Sequence, residues 1–255
     1  MNIEHHFCLD ESPQFHMMEL GHVDSTNQFA RHYRPVRPVR ISLVTAEYQS
    51  AGKGAGTNSW ESAEGENLLF SLIVRPTMVQ ASHLFVLSEA MALSVCKALD
   101  NFGTGFSIKW PNDVYHHDSK IAGMLIENDI VGHHIDRSIL GVGININQTT
   151  FLSDAPNPIS LAQILGEPIE RIFIMEAVME QFSSLYTMVE QGREKELHRQ
   201  YLERLYRKDA LHRYRDDSGT FEAQIVDVEP NGHLLLQDQE GRTRRYAFKE
   251  VSFII

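Results

Sequence analysis

Three short stretches of the chain combine residue types suited to holding and activating an anionic substrate. Residues 49–60 read Gln-Ser-Ala-Gly-Lys-Gly-Ala-Gly-Thr-Asn-Ser-Trp. The alternate glycines Gly52, Gly54 and Gly56 let backbone approach a ligand and leave amide N–H groups free for an anion, and Lys53 adds a positive charge. The spacing is neither that of a P-loop nor that of the dinucleotide-binding Gly-x-Gly-x-x-Gly. A flexible surface turn is the alternative. Residues 109–113 read Lys-Trp-Pro-Asn-Asp, with Lys120 following. A hairpin here returns Lys120 toward Lys109 and groups two cations with the Asp113 carboxylate, a set suited to a nucleoside triphosphate with Mg²⁺, or else an exposed ion pair on a solvated hairpin. In Gly141-Val-Gly143-Ile-Asn145, two glycines inside a strand weaken pairing unless something must come close, and Asn145 is placed to meet it; a plain β-bulge is the alternative.

Other chemistries lack candidates. Ser25 and Thr26 read as N-caps of a short helix over residues 28–33. The histidine pairs at 5–6, 116–117 and 133–134 lack zinc-site spacing and read as turn residues facing solvent. No Gly-x-Ser-x-Gly elbow occurs, so covalent catalysis has no nucleophile. Against 34 Asp plus Glu stand 23 Lys plus Arg, a formal net charge of −11 in 255 residues. That balance disfavours nucleic acid as a partner. Cys8 and Cys96 cannot make a disulfide framework or a structural zinc site, which points to a reducing, cytoplasmic setting. Residues 1–10 lack the basic start and apolar run of a signal peptide, and no stretch approaches ~18 uninterrupted apolar residues.

The elements that must position these residues follow from periodicity. Residues 41–46 and 68–74 read as buried strands. Leu84, Leu87, Met91, Val95 and Ala98 lay one apolar stripe along a helix over 79–99 that covers a sheet. Residues 106–110, 121–126 and 139–146 form strands whose short connections require antiparallel pairing. Residues 170–205 return to helix, with Met175, Met179 and Met188 as core filler. Beyond about residue 210, strands at 221–228, 233–237 and 244–248, joined by Pro230-Asn231-Gly232 and Glu240-Gly241 turns, make a small β module packed on the main domain.

In order along the chain, Asp24-Ser-Thr-Asn27, Glu47-Tyr-Gln49-x-Ala-Gly52-Lys-Gly54, Lys109-Trp-Pro-Asn-Asp113, Asp118-x-Lys120-Ile-Ala-Gly123-Met-Leu-Ile-Glu127 and Gly141-x-Gly143-Ile-Asn145 resemble the motifs of biotin protein ligases. The resemblance runs over about residues 20–165, where Ser160-Leu161 also fits. It implies an α+β fold: a mixed, largely antiparallel sheet flanked by helices in a catalytic domain over 1–208, then an SH3-like β-barrel over 209–255. It also implies a two-step reaction. The biotin carboxylate attacks the α-phosphorus of ATP to give biotinyl-5′-AMP and pyrophosphate, and a lysine amine of a biotin carboxyl carrier protein then attacks the mixed anhydride.

By that resemblance Ser25, Thr26, Asn27 and Gln49 line the biotin site. Gly52, Lys53, Gly54 and Ala55 form the loop that closes over the intermediate. Lys120 reaches the biotin carboxyl and the phosphate. Trp60, Lys109, Asn112, Asp113 and Asn145 serve ATP, with Asp113 the partner of Mg²⁺ or of the acceptor amine; Lys120, Asp113 and Lys53 carry the catalysis. The resembling loop usually reads Gly-Arg-Gly-Arg-x-Gly, and Lys53 and Ala55 depart from it. Holding the adenylate then falls to Lys53, Lys120 and backbone amides, or to Asn58 or the C-terminal module. Only 24 residues precede Ser25, too few for the DNA-binding domain that some members carry, so repressor activity is not expected. Lipoate ligases and octanoyl transferases share the implied fold, but the Trp-Pro-Asn-Asp block and the C-terminal module favour biotin. A non-catalytic biotin or nucleotide sensor is the reading from a different class. Dimerisation through an exposed strand is left open.

Overall fold

Residue alternation builds one mixed sheet, with apolar side chains on both of its faces. The computed structural model describes residues 3–7, 15–35, 39–153 and 155–255; Cys8 and the side chains of His5 and His6 lie outside that description. The strands are β1 (Ile3–Phe7), β2 (Phe15–Val23), β3 (Ile41–Gln49), β4 (Leu68–Val74), β5 (Phe106–Lys109), β6 (Asp113–His116), β7 (Ser119–Val131) and β8 (His134–Ile144). Their spatial order is β1-β2-β3-β4-β8-β7-β6-β5. Only β2 and β3 pair in parallel; all other neighbours are antiparallel.

The helices are α1 (Thr26–His32), α2 (Val86–Leu99), α3 (Leu161–Leu165), α4 (Arg171–Glu190) and α5 (Glu194–Glu203). Leu68, Phe70, Leu72 and Val74 of β4 share one cluster with Leu87, Met91 and Val95 of α2 and Val178 and Phe182 of α4. Each such fully buried side chain contributes roughly 1.5–3 kcal/mol. On the other face Val44, Ala46, Ile73 and Ile139 pack with Ala30 of α1. By composition residues 81–99 are apolar enough to cross a membrane, but 72% of that stretch is buried inside the fold. It is the core helix beneath the sheet.

Several elements differ from the sequence reading. Strand β2 and its parallel pairing were not anticipated, nor were β1, β6, α3 and, in the C-terminal module, the strands His212–Asp216 and Ser252–Phe253. The helix expected over 79–99 is a short 3₁₀ turn, Ala81–His83, followed by α2. The helical stretch 170–205 is two helices, because Gly192 takes φ +70° after α4 and ends it. Ser25 holds the N-cap position of α1 but its hydroxyl caps nothing; Thr26 is already helical. Met175 and Met188 are buried in the core as expected.

The C-terminal module is a second, antiparallel sheet of SH3-like character: β9 (His212–Asp216), β10 (Gly219–Val228), β11 (Leu234–Asp238), β12 (Thr243–Tyr246) and β13 (Ser252–Phe253), in the order β12-β11-β10-β9-β13. Its Tyr214, Ile225, Val228 and Leu236 belong to the same cluster as the α2–α4 core. The chain entering it covers the free edge of β5: the Ile108 N–H donates to the Arg204 carbonyl at 2.8 Å and the Tyr206 N–H to the Ile108 carbonyl at 2.8 Å.

One polar clasp joins the two sheets. His198 of α5 sits between Glu89 of α2, Nδ1 to Oε1 at 2.7 Å, and Asp227 of β10, Nε2 to Oδ1 at 2.9 Å. The Glu89 hydrogen bond, against burial and with Asp227 helping, raises the His198 pKa to about 9. Burial in turn pushes the Glu89 carboxyl above its ordinary range despite His198. A histidine raised in the folded state contributes stability fully below its unfolded pKa near 6.5 and loses it as pH climbs through about 9. His198→Gln should therefore melt below the parent at pH 6, by roughly 3–6 °C once the ring's partial exposure is discounted. Thermal melts at pH 6 and pH 10 check it: the gap should close at the higher pH, and a gap constant with pH would contradict the charge.

Candidate active site

Register across the sheet lines up two rows of side chains on the α1 face. In the first, Leu69 of β4 lies opposite Gly143, Gly143 opposite Gly123, Gly123 opposite Asp113, and Asp113 opposite Lys109. In the second, Ser71 lies opposite Gly141 and Gly141 opposite Leu125. Three glycines thus leave the middle of the sheet without side chains. Trp60 occupies the space over the first row: a Cβ on Gly143 would stand 2.7 Å from its Cζ2, and one on Gly123 2.9 Å from its Cζ3. Asn27 occupies the space over the second, where a Cβ on Gly141 would stand 2.8 Å from its Cγ.

Each side chain is held by backbone that the sequence places there. Parallel pairing of β2 with β3 brings residues 24–27 beside 49–51: Ser50 and Ala51 N–H donate to the Val23 and Asp24 carbonyls. Gln49 Oε1 then accepts from the Thr26 N–H at 2.7 Å and from Thr26 Oγ1 at 3.0 Å. Ser71 Oγ lies 2.8 Å from Thr26 Oγ1 and 2.6 Å from Asn27 Oδ1. Asn27 Nδ2 donates to the Leu125 carbonyl and to Glu127, which also pairs with Arg31. Ser25, Thr26, Asn27 and Ser71 are all buried, and Thr26, Asn27, Ser71 and the half-buried Gln49 form one polar network inside an apolar sheet.

Residues 52–60 fold as a small hairpin. Lys53 bridges Ser59, the Gly54 N–H donates to the Asn58 carbonyl at 2.8 Å, and the Trp60 N–H to the Gly52 carbonyl at 2.9 Å. Gly52 is buried at its base, where a Cβ would stand 2.7 Å from the Trp60 carbonyl oxygen and 3.2 Å from Gln49 Nε2. Trp60 Nε1 is buried with no hydrogen-bond partner among the described residues, and so has a donor left for a ligand.

A β-bulge brings the charges together. Asp113 pairs with Gly123 and Val114 with Ala122, but Tyr115 pairs with Lys120, skipping Ile121. The skip turns Lys120 onto the face of Asp113 and Tyr115 and leaves Ile121 in the core. Lys120 Nζ then lies 2.7 Å from Asp113 Oδ1 and 5.7 Å from the Trp60 ring centroid. Lys109 sits between the rings of Tyr115 and Phe253, at 4.9 and 5.2 Å from their centroids. Burial lowers its pKa, Asp113 opposing and Lys120 and Arg207 adding to the shift.

These groups line one cleft of about 930 Å³. Of the residues singled out from sequence, Ser25, Thr26, Asn27, Gln49, Lys53, Gly54, Ala55, Trp60, Lys109, Asn112, Asp113, Lys120 and Asn145 all face it; Gly52 lies behind the hairpin instead. Besides Asn27 and Gln49, two more of them are engaged with backbone: Asn112 Nδ2 donates to the Met124 carbonyl and Asn145 Nδ2 to the Ile159 carbonyl. The lining missed by the sequence reading includes Tyr115, Phe151, Pro158 and, from the second sheet, Phe248, Lys249, Ser252 and Phe253. Ser71 had a signal, as the lone polar residue in the apolar run of β4. Glu61 anchors the 151–153 segment: burial works against its ionisation, but hydrogen bonds from Ser153, Leu152 and Gln148 hold its carboxyl below the ordinary range.

The chain is similar to known proteins in sequence and in fold. Residues 21–145 match the Biotin/lipoate A/B protein ligase family. The chain is 29% identical over 251 residues to the bifunctional ligase/repressor BirA of Bacillus spizizenii, covering 91% of this chain and 72% of that protein. It is 31% identical over 134 residues to a biotin–[acetyl-CoA-carboxylase] ligase of Paracoccus denitrificans, covering 50% and 53%. Its fold superposes on the biotin protein ligase of Aquifex aeolicus, solved in complex with biotin and ATP, with a TM-score of 0.77 at 25% identity, over 92% of this chain and 97% of that one.

The bare glycine rows carry a direct consequence. Gly143→Ala forces Trp60 out of its seat, an overpacking that costs about 1–3 kcal/mol and lowers Tm by several degrees. Gly21→Ala, where a Cβ meets nothing within 4 Å, should melt within about a degree of the parent. Equal melting temperatures for both variants would show that Trp60 is not held over Gly143.

Proposed function

From the match of residues 21–145 to the Biotin/lipoate A/B protein ligase family, we propose that the chain is a biotin protein ligase that makes biotinyl-5′-AMP from biotin and ATP and transfers biotin to a lysine of a biotin carboxyl carrier protein. The observation that carries this reading is the 2.7 Å Lys120–Asp113 pair in the same cleft as the Thr26–Asn27–Gln49–Ser71 network and the glycine hairpin. In the first step a carboxylate oxygen bonds to the α-phosphorus as the bond to the β-phosphate oxygen breaks and pyrophosphate leaves. In the second, the acceptor nitrogen bonds to the acyl carbon as the bond to the phosphate oxygen breaks and AMP leaves. An acyl adenylate is already activated, so positioning and charge stabilisation do the work and no protein nucleophile is required.

In this reading the hydroxyls and amides of the buried Ser25, Thr26 and Asn27 and the half-buried Gln49 hold the polar end of biotin. Lys120 offsets charge where carboxylate and phosphate meet. The Lys53 hairpin closes over the intermediate, with Trp60, Lys109, Asn112 and Asn145 toward the nucleotide. Among the described residues no three His, Cys, Asp or Glu side chains cluster, so Asp113 by itself does not make a resident metal centre. Mg²⁺ is instead expected to enter on the substrate phosphates, as it commonly does, with Asp113 offering one carboxylate. The division into a catalytic domain over 1–208 and an SH3-like domain over 209–255, and a cytoplasmic setting, belong to the same proposal.

Incubation with ATP, biotin and a carrier domain tests the reading: mass spectrometry should find biotinyl-lysine only when both small molecules are present. Lys120→Ala should melt like the parent and form adenylate about 10²- to 10³-fold more slowly. Adenylation near the parental rate would remove Lys120 from the site. Hydrogen exchange reads the hairpin: amides of residues 52–58 should slow when biotin and ATP are added together, and unchanged exchange would leave those glycines as an ordinary turn.

A further inference from the structure

The cleft brings together four lysines and no arginine: Lys53, Lys109, Lys120 and Lys249. Three of them are accounted for. Lys120 is paired with Asp113, Lys109 is caged between two rings, and Lys53 stands exposed on the hairpin it belongs to. Lys249 comes from the other sheet, in the 247–250 turn that leads to β13, where Ala247 N–H donates to Glu250 Oε2 at 2.6 Å. Its ammonium has no carboxylate partner among the described residues; the Phe248 ring, 5.7 Å from Nζ, is what it lies over.

Two backbone conformations meet at this point. Lys249 takes φ +72°, a left-handed conformation that a lysine rarely holds, and Gly56 across from it takes φ +70°. A Cβ on Gly56 would collide with Lys249 Nζ and stand 3.2 Å from its Cε. Gly56 therefore has no side chain where the Lys249 ammonium comes to rest, and the tip of the hairpin is met by a cation from a module more than 190 residues away in sequence. Ala55 beside it brings only a methyl group to the same cleft.

We propose that Lys249 holds the phosphate of the acyl-adenylate intermediate, supplying from the C-terminal module the cation that the hairpin lacks at position 55. The assignment rests on reading the cleft as an adenylating site. An ammonium offers three N–H donors to a phosphate. Placed over the hairpin tip, it joins the phosphate to the backbone amides of residues 55–57 and keeps the hairpin down while the carrier arrives. The second sheet thereby becomes part of the site rather than an appendage to it.

Lys249→Gly is the informative variant, because glycine relieves the left-handed backbone and removes the ammonium without straining the turn. Single-turnover release of biotinyl-AMP, measured by rapid filtration in the absence of carrier, should be about tenfold faster than in the parent, the size of one lost contact of ~1.4 kcal/mol. Adding Ala55→Arg to Lys249→Gly should slow release again, a rescue that a purely structural role for Lys249 would not give. Parental release from Lys249→Gly, or no rescue by Ala55→Arg, overturns the assignment and leaves the ligase reading standing. If the parent itself forms no biotinyl-AMP in this assay, the reading of the cleft falls and Lys249 with it.

Discussion

The centre of the sheet is bare, and the site depends on that. Gly123, Gly141 and Gly143 lie on the same face of two neighbouring strands, where Val, Ile or Leu would otherwise complete an apolar layer against α1. Glycine in a strand interior weakens pairing, so this stretch gives up packing that the rest of β7 and β8 enjoys. What fills the gap is the protein itself: the Asn27 carboxamide over Gly141 and the Trp60 indole over Gly143 and Gly123. Seated there, Asn27 ties α1 to Ser71 and Leu125, and Trp60 sets the base of the glycine hairpin beside Lys120. Buried polar groups are tolerated only when hydrogen-bonded, and the Thr26–Gln49–Ser71–Asn27 network meets that condition with the Leu125 carbonyl and Glu127 accepting from Asn27. Its donors and acceptors are fixed before any ligand arrives.

The second sheet is fastened to the first at several separate points. Trp110 Nε1 donates to the Gly232 carbonyl at 2.9 Å, the Phe85 N–H to the Pro230 carbonyl at 3.2 Å, and Arg207 Nη1 to the Ile254 carbonyl at 2.6 Å. The His198 clasp adds a charged link. A unit of roughly 45 residues buries too little apolar surface to stand firmly alone, and sharing the α2–α4 core solves that problem. The same contacts aim residues 248–253 at the cleft. Lys109 owes half of its aromatic cage to Phe253, so burial of that lysine depends on the docking of the module.

Much of this was legible in the sequence, and the reasons differ residue by residue. The grouping of Lys109, Asp113 and Lys120 could be read because a short hairpin returns Lys120 toward the strand that carries Lys109. The glycine pair at 141 and 143 announced a close approach, although the approaching groups turned out to be Asn27 and Trp60 rather than a ligand alone. The bulge at Ile121 was not legible, since nothing local distinguishes it from a regular register, yet it decides which way Lys120 points. Strand β2 was missed because Phe15-His-Met-Met-Glu-Leu-Gly-His-Val alternates poorly, and its parallel pairing is a tertiary fact. Lys249 was out of reach for another reason: its neighbour Gly56 is distant in the chain, and only the shared core brings the two together.

In the proposed reaction a carboxylate and a nucleotide meet in the cleft, with charge stabilised by Lys120 and no covalent enzyme intermediate. In it the α-phosphorus of ATP is attacked by the biotin carboxylate and by nothing in the protein. Exchange of labelled pyrophosphate into ATP measures that step in reverse and forward together, without any carrier. Exchange that appears only when biotin is added is the predicted result. Exchange that proceeds equally well without biotin, or that is absent with it, would contradict the account.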